Sequence, residues 1–567
     1  MDPSLLDPPG RSVPGARWLS ALFVLLTIIL LNSCSKNIPE VPKRITVNSK
    51  DELIVYLDSL EQKYEQAVLA VGIANWNSYS KEAPYNLDSA KKELGEIFLD
   101  TTSRNIIDEW RGRSSSLADK LLARRLELWH RVFLGGAIYA DPEIAALENR
   151  LQETMTDFQF RFNGAPVTRA KILQQLRDEP KQAVRHKLWS VPSQLTAAVS
   201  GDLVKLVTLR NAKARACGFP NYYSLVLYLN AIDEEWLLKT SSLLEEETRD
   251  AFQQFLLSSS RKLHVKQIGP WDVDYALRET ASLPDRYFPG DSLFGILHRF
   301  EEGIGFTVDS LPIREYVKDI PYGGLNLAID IPKDSRFLIN PLKGYRIYSI
   351  AFHEYGHALK AVHTRVDFPI LKGYEWIPGA QCAAYEEGVA DMNAAFTEDS
   401  LWLESFAHVK PRIIQKYLAS RSIVDIYRVR NTIREFSLED ELYKDPRQAL
   451  PVLERNLTKK YLLMGLDSTE APQYASSIWL VAYPCYFHNY LMASMIAAQL
   501  QEALSDKFGE GKSQNPAVAK WIISHLYLNG ELQEWTDRIR EATGKGLEPG
   551  ALLRQLGIVP APFVTQG

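Results

Sequence analysis

Apolar residues recur at helical spacing along most of the chain. Leu53, Tyr56, Leu57 and Leu60 form one stripe, Leu121, Leu122, Leu126, Leu128 and Trp129 a second, and Leu237, Leu238, Leu243 and Leu244 a third. Side chains three and four residues apart share a helix face, so each stripe predicts a helix that buries one side. Breakers separate the stripes at Gly164-Ala165-Pro166, Gly218-Phe219-Pro220, Pro289-Gly290 and Pro321-Tyr322-Gly323-Gly324, and none opens a long low-complexity linker. No unit repeats at a fixed period, which argues against a solenoid. Residues 323–341 alternate apolar and polar positions in short runs cut by proline, as short strands do. The pattern therefore predicts a mainly α fold, one large helical unit over residues 51–567, with a minor short-stranded sheet.

The N-terminus carries a different pattern. From Trp18 to Ser33 no residue is charged; Arg11 and Arg17 precede the run and Cys34 follows it. A bilayer crossing needs about 20 apolar residues, whereas a secretory signal has about 7–15 behind a positive flank, so export is the better expectation. Leu31-Asn32-Ser33-Cys34 resembles the lipobox of bacterial lipoproteins, in which the cysteine is acylated. We expect residues 1–33 to be a signal peptide ending at the lipid-bearing Cys34, and residues 34–50, with two prolines and little apolar periodicity, to be a tether. An uncleaved single anchor is the alternative. Either arrangement places the bulk of the chain in the bacterial periplasm or at the cell surface, held to a membrane.

With 46% hydrophobic residues in 567, the chain has ample material for a core, and disorder is excluded. Its 65 basic and 70 acidic residues leave a net charge of −5, so nothing in the charge balance favours nucleic acid as a partner. Of the four cysteines, Cys34, Cys217, Cys382 and Cys485, the last three cannot all pair within one chain once Cys34 carries lipid, so this is no disulfide scaffold.

Candidate chemistry sits in a helical run, residues 345–362, which contains His353-Glu354-Tyr355-Gly356-His357. Histidines at i and i+4 project from one helix face, close enough for both imidazoles to hold one Zn²⁺, and the glutamate between them can reach a metal-bound water. By composition such an HExxH match arises by chance in about one chain in a hundred. A catalytic zinc needs a third protein ligand. After Pro378-Gly379 a second helical run carries Glu386, Glu387 and Asp391 among small and apolar neighbours. Glu387 and Asp391 are spaced i,i+4, so one face offers a ligand and, a turn later, a carboxylate able to hold a ligand histidine. This selects Glu387 as ligand and Asp391 as its neighbour's support. Glu386, about 100° around the helix, is expected in solvent or in a salt bridge.

His-Glu-x-Gly-His followed about thirty residues later by Glu-x-x-x-Asp resembles the gluzincin metallopeptidases, in particular the angiotensin-converting enzyme (peptidyl-dipeptidase A) family with its thimet oligopeptidase relatives. Lys333-Asp334-Ser335-Arg336-Phe337, Ala74-Asn75-Trp76-Asn77 and the C-terminal TGKGLEPGALLRQLG are similar to segments of that family, and the run from Tyr490 to Leu504 matches the length and ending of the segment that begins with its transition-state tyrosine. The resemblance implies a two-lobed helical metallopeptidase with a deep central groove, one Zn²⁺ per chain, short peptide substrates, and release of C-terminal dipeptides or broader oligopeptidase cleavage. It implies Glu354 as general base, then acid, and Tyr490 as oxyanion donor. The family's substrate-binding histidine aligns here with Leu480, which leaves His488 as a weak substrate-binding candidate. The arginine that helps to bind chloride is replaced by Asn489, so chloride activation is not expected. His363 and Cys382 lie near the motif with nothing specific to recommend them as ligands. The competing expectation, from another class, is a non-catalytic helical surface lipoprotein that binds peptides or glycans.

Overall fold

A computed structural model describes residues 46–116, 118–320 and 323–559. The leader, Cys34 and the tether up to residue 45 lie outside the described residues. The fold is mostly helical, as the pattern of apolar stripes requires. The first helix, Lys50–Ser80, starts where the first stripe starts. The Ser49 side chain accepts a hydrogen bond from the Glu52 amide, and Asp51 and Glu52 place negative charge at the positive end of the helix dipole. Leu53, Leu57 and Leu60 face inward. The second stripe lies in Lys120–Tyr139 and the third in Glu234–Glu247. Leu121 and Leu238 fall off the buried faces into solvent, while Leu122, Leu126, Leu128, Trp129, Leu237 and Leu244 are buried.

Among the described residues, five strands accompany the helices. Strands β1 (Phe160–Phe162) and β2 (Ala165–Val167) pair antiparallel across Asn163-Gly164, both at positive φ. That two-residue turn, legible as a breaker in the sequence, is a small hairpin. Strands β3 (Ile313–Val317), β4 (Gly324–Asp330) and β5 (Asp334–Ile339) form one sheet in the order β3-β5-β4, with β3 parallel and β4 antiparallel to the central β5. The alternating stretch thus yields two strands, and β3 joins them from outside it.

The apolar interior falls into a large cluster spanning most of the chain after Leu134, a second one built on the N-terminal helices together with Ile370, Leu371, Tyr374 and Ile377, and a small third one of Trp76, Ile320, Ile329 and Leu338. Among the described residues no helix is long and apolar enough to cross a membrane.

Three helices meet where the two halves of the candidate chemistry have to come together: Tyr345–His363, Ala383–Ala395 and Phe487–Phe508. Two glycines set their spacing. A Cβ on Gly356, the fourth residue of the HExxH segment, would lie 3.0 Å from both Ala390 Cα and Asn393 Cβ, and one on Gly388 would lie 2.6 Å from Ile496 Cβ. Only a residue without a side chain lets these helices approach so closely.

Candidate metal centre

The HExxH residues occupy the middle of the Tyr345–His363 helix, and both histidines and Glu354 are buried. The i,i+4 spacing brings the two Nε2 atoms to 3.2 Å from each other. Glu387, on the neighbouring helix, places Oε2 3.4 Å from His353 Nε2. The ligand atoms of His353, His357 and Glu387 all lie within 4.8 Å of one another. Ligand–metal bonds of about 2.0–2.1 Å in tetrahedral geometry separate the ligand atoms by about 3.3–3.4 Å. The two short separations measured here fit those edges, and two nitrogens with one carboxylate oxygen are a donor set suited to a divalent transition metal.

Each ligand is aimed by a second group. Asp391 Oδ1 lies 2.8 Å from His353 Nδ1, and Glu375 Oε1 lies 3.1 Å from His357 Nδ1, so both imidazoles turn Nε2 toward the common point. The Tyr486 hydroxyl donates to Glu387 Oε1 at 2.8 Å, leaving Oε2, which is buried and otherwise without a partner, to face the histidines. Burial alone would lower the histidine pKa values. Hydrogen bonds and charge from Asp391 and Glu387 instead push His353 up to about 10, and Glu375 pushes His357 up to about 9. Burial would raise Glu387, but His353 brings it to about 2. The cluster is thus a buried anionic cradle that favours positive charge at its centre.

Glu354 reaches the same space from the side of the sheet. The Asn326 amide, on β4, donates to its Oε2 at 2.9 Å, and its Oε1 is buried without a partner. Burial raises its pKa, which makes it a better proton acceptor. Gly324 permits this approach: a Cβ there would lie 2.9 Å from Glu354 Cγ. Tyr490 is half-buried on the Phe487–Phe508 helix, 5.4 Å from the Tyr486 ring and 5.9 Å from the Trp479 ring by centroid. Burial lifts its phenol pKa well above 10, and the charges of Glu387, Asp391 and Glu354 add to the effect, so the hydroxyl keeps its proton within the field of the cluster.

Other candidates lie elsewhere. His488 is not brought to the centre; it is buried, 3.2 Å from the Tyr223 hydroxyl through Nδ1, and burial alone drops its pKa to about 3. It is a core histidine, which corrects the substrate-binding expectation. Glu386 is not in solvent: it is buried in an ion pair with Lys360, 2.5 Å apart. His363 Nδ1 bonds to the Leu359 carbonyl, and burial raises the Cys382 thiol to about 12. Leu480 and Asn489 are buried. Glu375, Tyr486 and Asn326 are the site residues the sequence did not single out. Of these, only Tyr486 carried a usable signal, its i,i+4 spacing from Tyr490.

No protein-family model matches the chain. Oligopeptidase A of Haemophilus influenzae is 23% identical over 224 residues, which cover 37% of this chain and 31% of that relative, so the match spans under a third of the relative's length. Among solved structures, Trypanosoma cruzi metallocarboxypeptidase 1 superposes with a TM-score of 0.59 at 15% identity, covering 88% of this chain and 99% of that one. A carboxypeptidase from Pyrococcus furiosus gives a TM-score of 0.61 at 12% identity, covering 90% and 99%. The chain shares the helical fold of these metallocarboxypeptidases.

Proposed function

We propose that this protein is a zinc-dependent peptidase acting on short peptides. The observation that carries this is the convergence of His353, His357 and Glu387 within 4.8 Å of one another, with the two separations at His353 Nε2 matching tetrahedral edges, in the cluster that also holds the unpartnered Oε1 of Glu354. The shared fold and the oligopeptidase match support it. His353, His357 and Glu387 would hold a divalent ion, which would supply Lewis acidity and lower the pKa of water toward 7. Glu354 accepts the proton of the attacking water through Oε1 while the Asn326 amide fixes Oε2, and it later returns that proton to the leaving amine. Tyr490 donates its hydroxyl hydrogen to the developing oxyanion, worth about 2–4 kcal/mol in a water-poor site. Asp391, Glu375 and Tyr486 keep the ligands aimed and remain unchanged through the cycle.

The protein is exported and tethered to the membrane through Cys34 in this proposal, with residues 51–567 as its peptidase part, and it cuts near the C-terminus, releasing a dipeptide as the converting-enzyme resemblance implies. Metal analysis together with the Glu354→Gln variant tests the central claim. About one zinc per chain and loss of hydrolysis across a peptide library are the expected results; a metal-free protein, or a fully active variant, refutes it. Mass spectrometry of the products separates dipeptide release from single-residue release and internal cuts.

A further inference from the structure

Behind the metal ligands, one amide side chain ties three helices together. Asn393 lies on the Ala383–Ala395 helix that carries Glu387, where Gly356 lets the HExxH helix approach: a Cβ on Gly356 would lie 3.0 Å from Asn393 Cβ. Asn393 Nδ2 donates one hydrogen to the Phe352 carbonyl at 2.8 Å and the other to Glu301 Oε1 at 2.9 Å. The Phe352 carbonyl belongs to the peptide unit that leads into His353, and a helical carbonyl keeps a second lone pair for such a bond. Glu301 comes from a third helix, Leu293–Ile304, and is fully buried. The amide therefore fixes the backbone at one metal ligand against the helix that bears another, and Glu301 fixes the amide.

Each of the two joined groups has one atom left over. Glu301 Oε2 and Asn393 Oδ1 are buried, and neither has a hydrogen-bond partner. Beside an ionised carboxylate these would be two stranded acceptors in a dry interior, which costs the desolvation of both. Among the described residues no cation is paired with Glu301. His298, on the same helix, is bonded through Nε2 to Glu315 Oε1 at 2.6 Å. Tyr355 and Tyr527 feel the charge of Glu301, yet neither hydroxyl has a hydrogen-bond partner, so neither supplies the missing donor. A proton on Oε2 resolves the conflict. The carboxyl then sets an acceptor, Oε1, and a donor, Oε2–H, against the amide's donor, Nδ2–H, and acceptor, Oδ1; the two planar groups match edge to edge and no atom of either is stranded. Burial works in the same direction, pushing the Glu301 pKa up to about 8, so the carboxyl keeps its proton at neutral pH.

We propose that Glu301 is a neutral carboxylic acid that closes a cyclic acid–amide pair with Asn393, and that this pair positions the HExxH helix against the Glu387 helix for metal binding. The effect on the metal rests on the centre proposed above; the pair itself does not. Glu301 and Asn393 are positioning residues, acting through the Phe352 backbone. The test uses the full-length protein. Infrared difference spectra between the wild type and Glu301→Gln at about pH 7 should show the C=O stretch of a neutral carboxyl in the wild type alone, and its absence overturns the proposal. Glutamine reproduces both the acceptor and the donor of the acid. Glu301→Gln should therefore keep its zinc affinity, read by chelator competition, within about twofold of the wild type, whereas Glu301→Leu and Asn393→Leu, which break the pair, should each lose about tenfold or more. A loss in Glu301→Gln equal to that in Glu301→Leu, or wild-type affinity in Asn393→Leu, overturns the proposal. If a leucine variant does not fold, the infrared band and the Glu301→Gln titration decide. If the wild type binds no zinc, the metal centre has failed instead, and the infrared band still tests the pair.

Discussion

Lys360 and Glu386 form a buried ion pair between the HExxH helix and the Glu387 helix, with Nζ and Oε1 2.5 Å apart and side chains only 5% and 4% exposed. At an effective dielectric of about 20, unit charges at that separation attract by about 7 kcal/mol. Removing both from water costs several kcal/mol per ion, so the intact pair contributes little net stability. Losing one partner is a different matter, because the other is left buried and uncompensated. Lys360→Met is expected to lower the unfolding free energy by about 3–5 kcal/mol, whereas Lys360→Met/Glu386→Leu, which removes both charges, should lose under about 2 kcal/mol. The pH dependence follows from Glu386. Burial already raises its folded pKa, and Lys360 is the largest influence lowering it, so the methionine variant raises it further. A carboxyl with a raised folded pKa contributes stability that is fully present below its unfolded pKa and lost as pH rises through the folded one. The deficit of the single variant should therefore shrink on going from about pH 8 to about pH 5. Urea unfolding at both pH values, on metal-saturated protein, measures it. A single-variant deficit under about 1 kcal/mol, or one no larger than that of the double variant, refutes the reasoning.

Further outcomes follow from the same contacts. Gly356→Ala puts a methyl 3.0 Å from Ala390 Cα and Asn393 Cβ, so it should destabilise by about 1–3 kcal/mol and weaken zinc binding in a chelator competition by forcing the ligand helices apart. Tyr486→Phe frees Glu387 Oε1 and should cost about 10–100-fold in metal affinity, while Tyr490→Phe should leave metal affinity intact and lower kcat by about 10²–10³-fold; the pair of titrations and rate measurements separates the two tyrosines. His488, with its pKa near 3, stays neutral in the fold while the unfolded chain protonates below about pH 6.5, so it withdraws stability progressively as pH falls through that range. His488→Gln should flatten the stability profile between about pH 6.5 and pH 4 by up to about 1.4 kcal/mol per pH unit, read by denaturant midpoints.

What the sequence made legible is what local spacing encodes. His353, Glu354 and His357 share a short stretch of one helix, and Glu387 and Asp391 share one face of another, so the periodicity of 3.6 residues brings each set together without knowledge of the fold. Glu375 escapes that logic: it lies in the loop between the Pro369–Lys372 turn and the Ala383–Ala395 helix, where no period marks it, and only tertiary packing carries it to His357. Strand β3 is similar, since Ile313-Arg314-Glu315-Tyr316-Val317 is charged and half-exposed, and its parallel partner β5 begins some twenty residues later. Glu386 takes the second of its two expected settings, a salt bridge rather than solvent. An angular offset of 100° from Glu387 reaches solvent only if the helix has a solvent face there, and this helix is packed by the HExxH helix on one side and by Ile496 against Gly388 on the other, so the offset side chain meets Lys360 instead. His488 fails for the same geometric reason in reverse. Two residues from Tyr490 in sequence is about 200° around the Phe487–Phe508 helix, so the turn that directs Tyr490 toward Glu354 and Glu387 directs His488 toward Tyr223 in the core. Tyr486, four residues from Tyr490, returns to the same face, and it is this tyrosine that touches the metal-binding carboxylate.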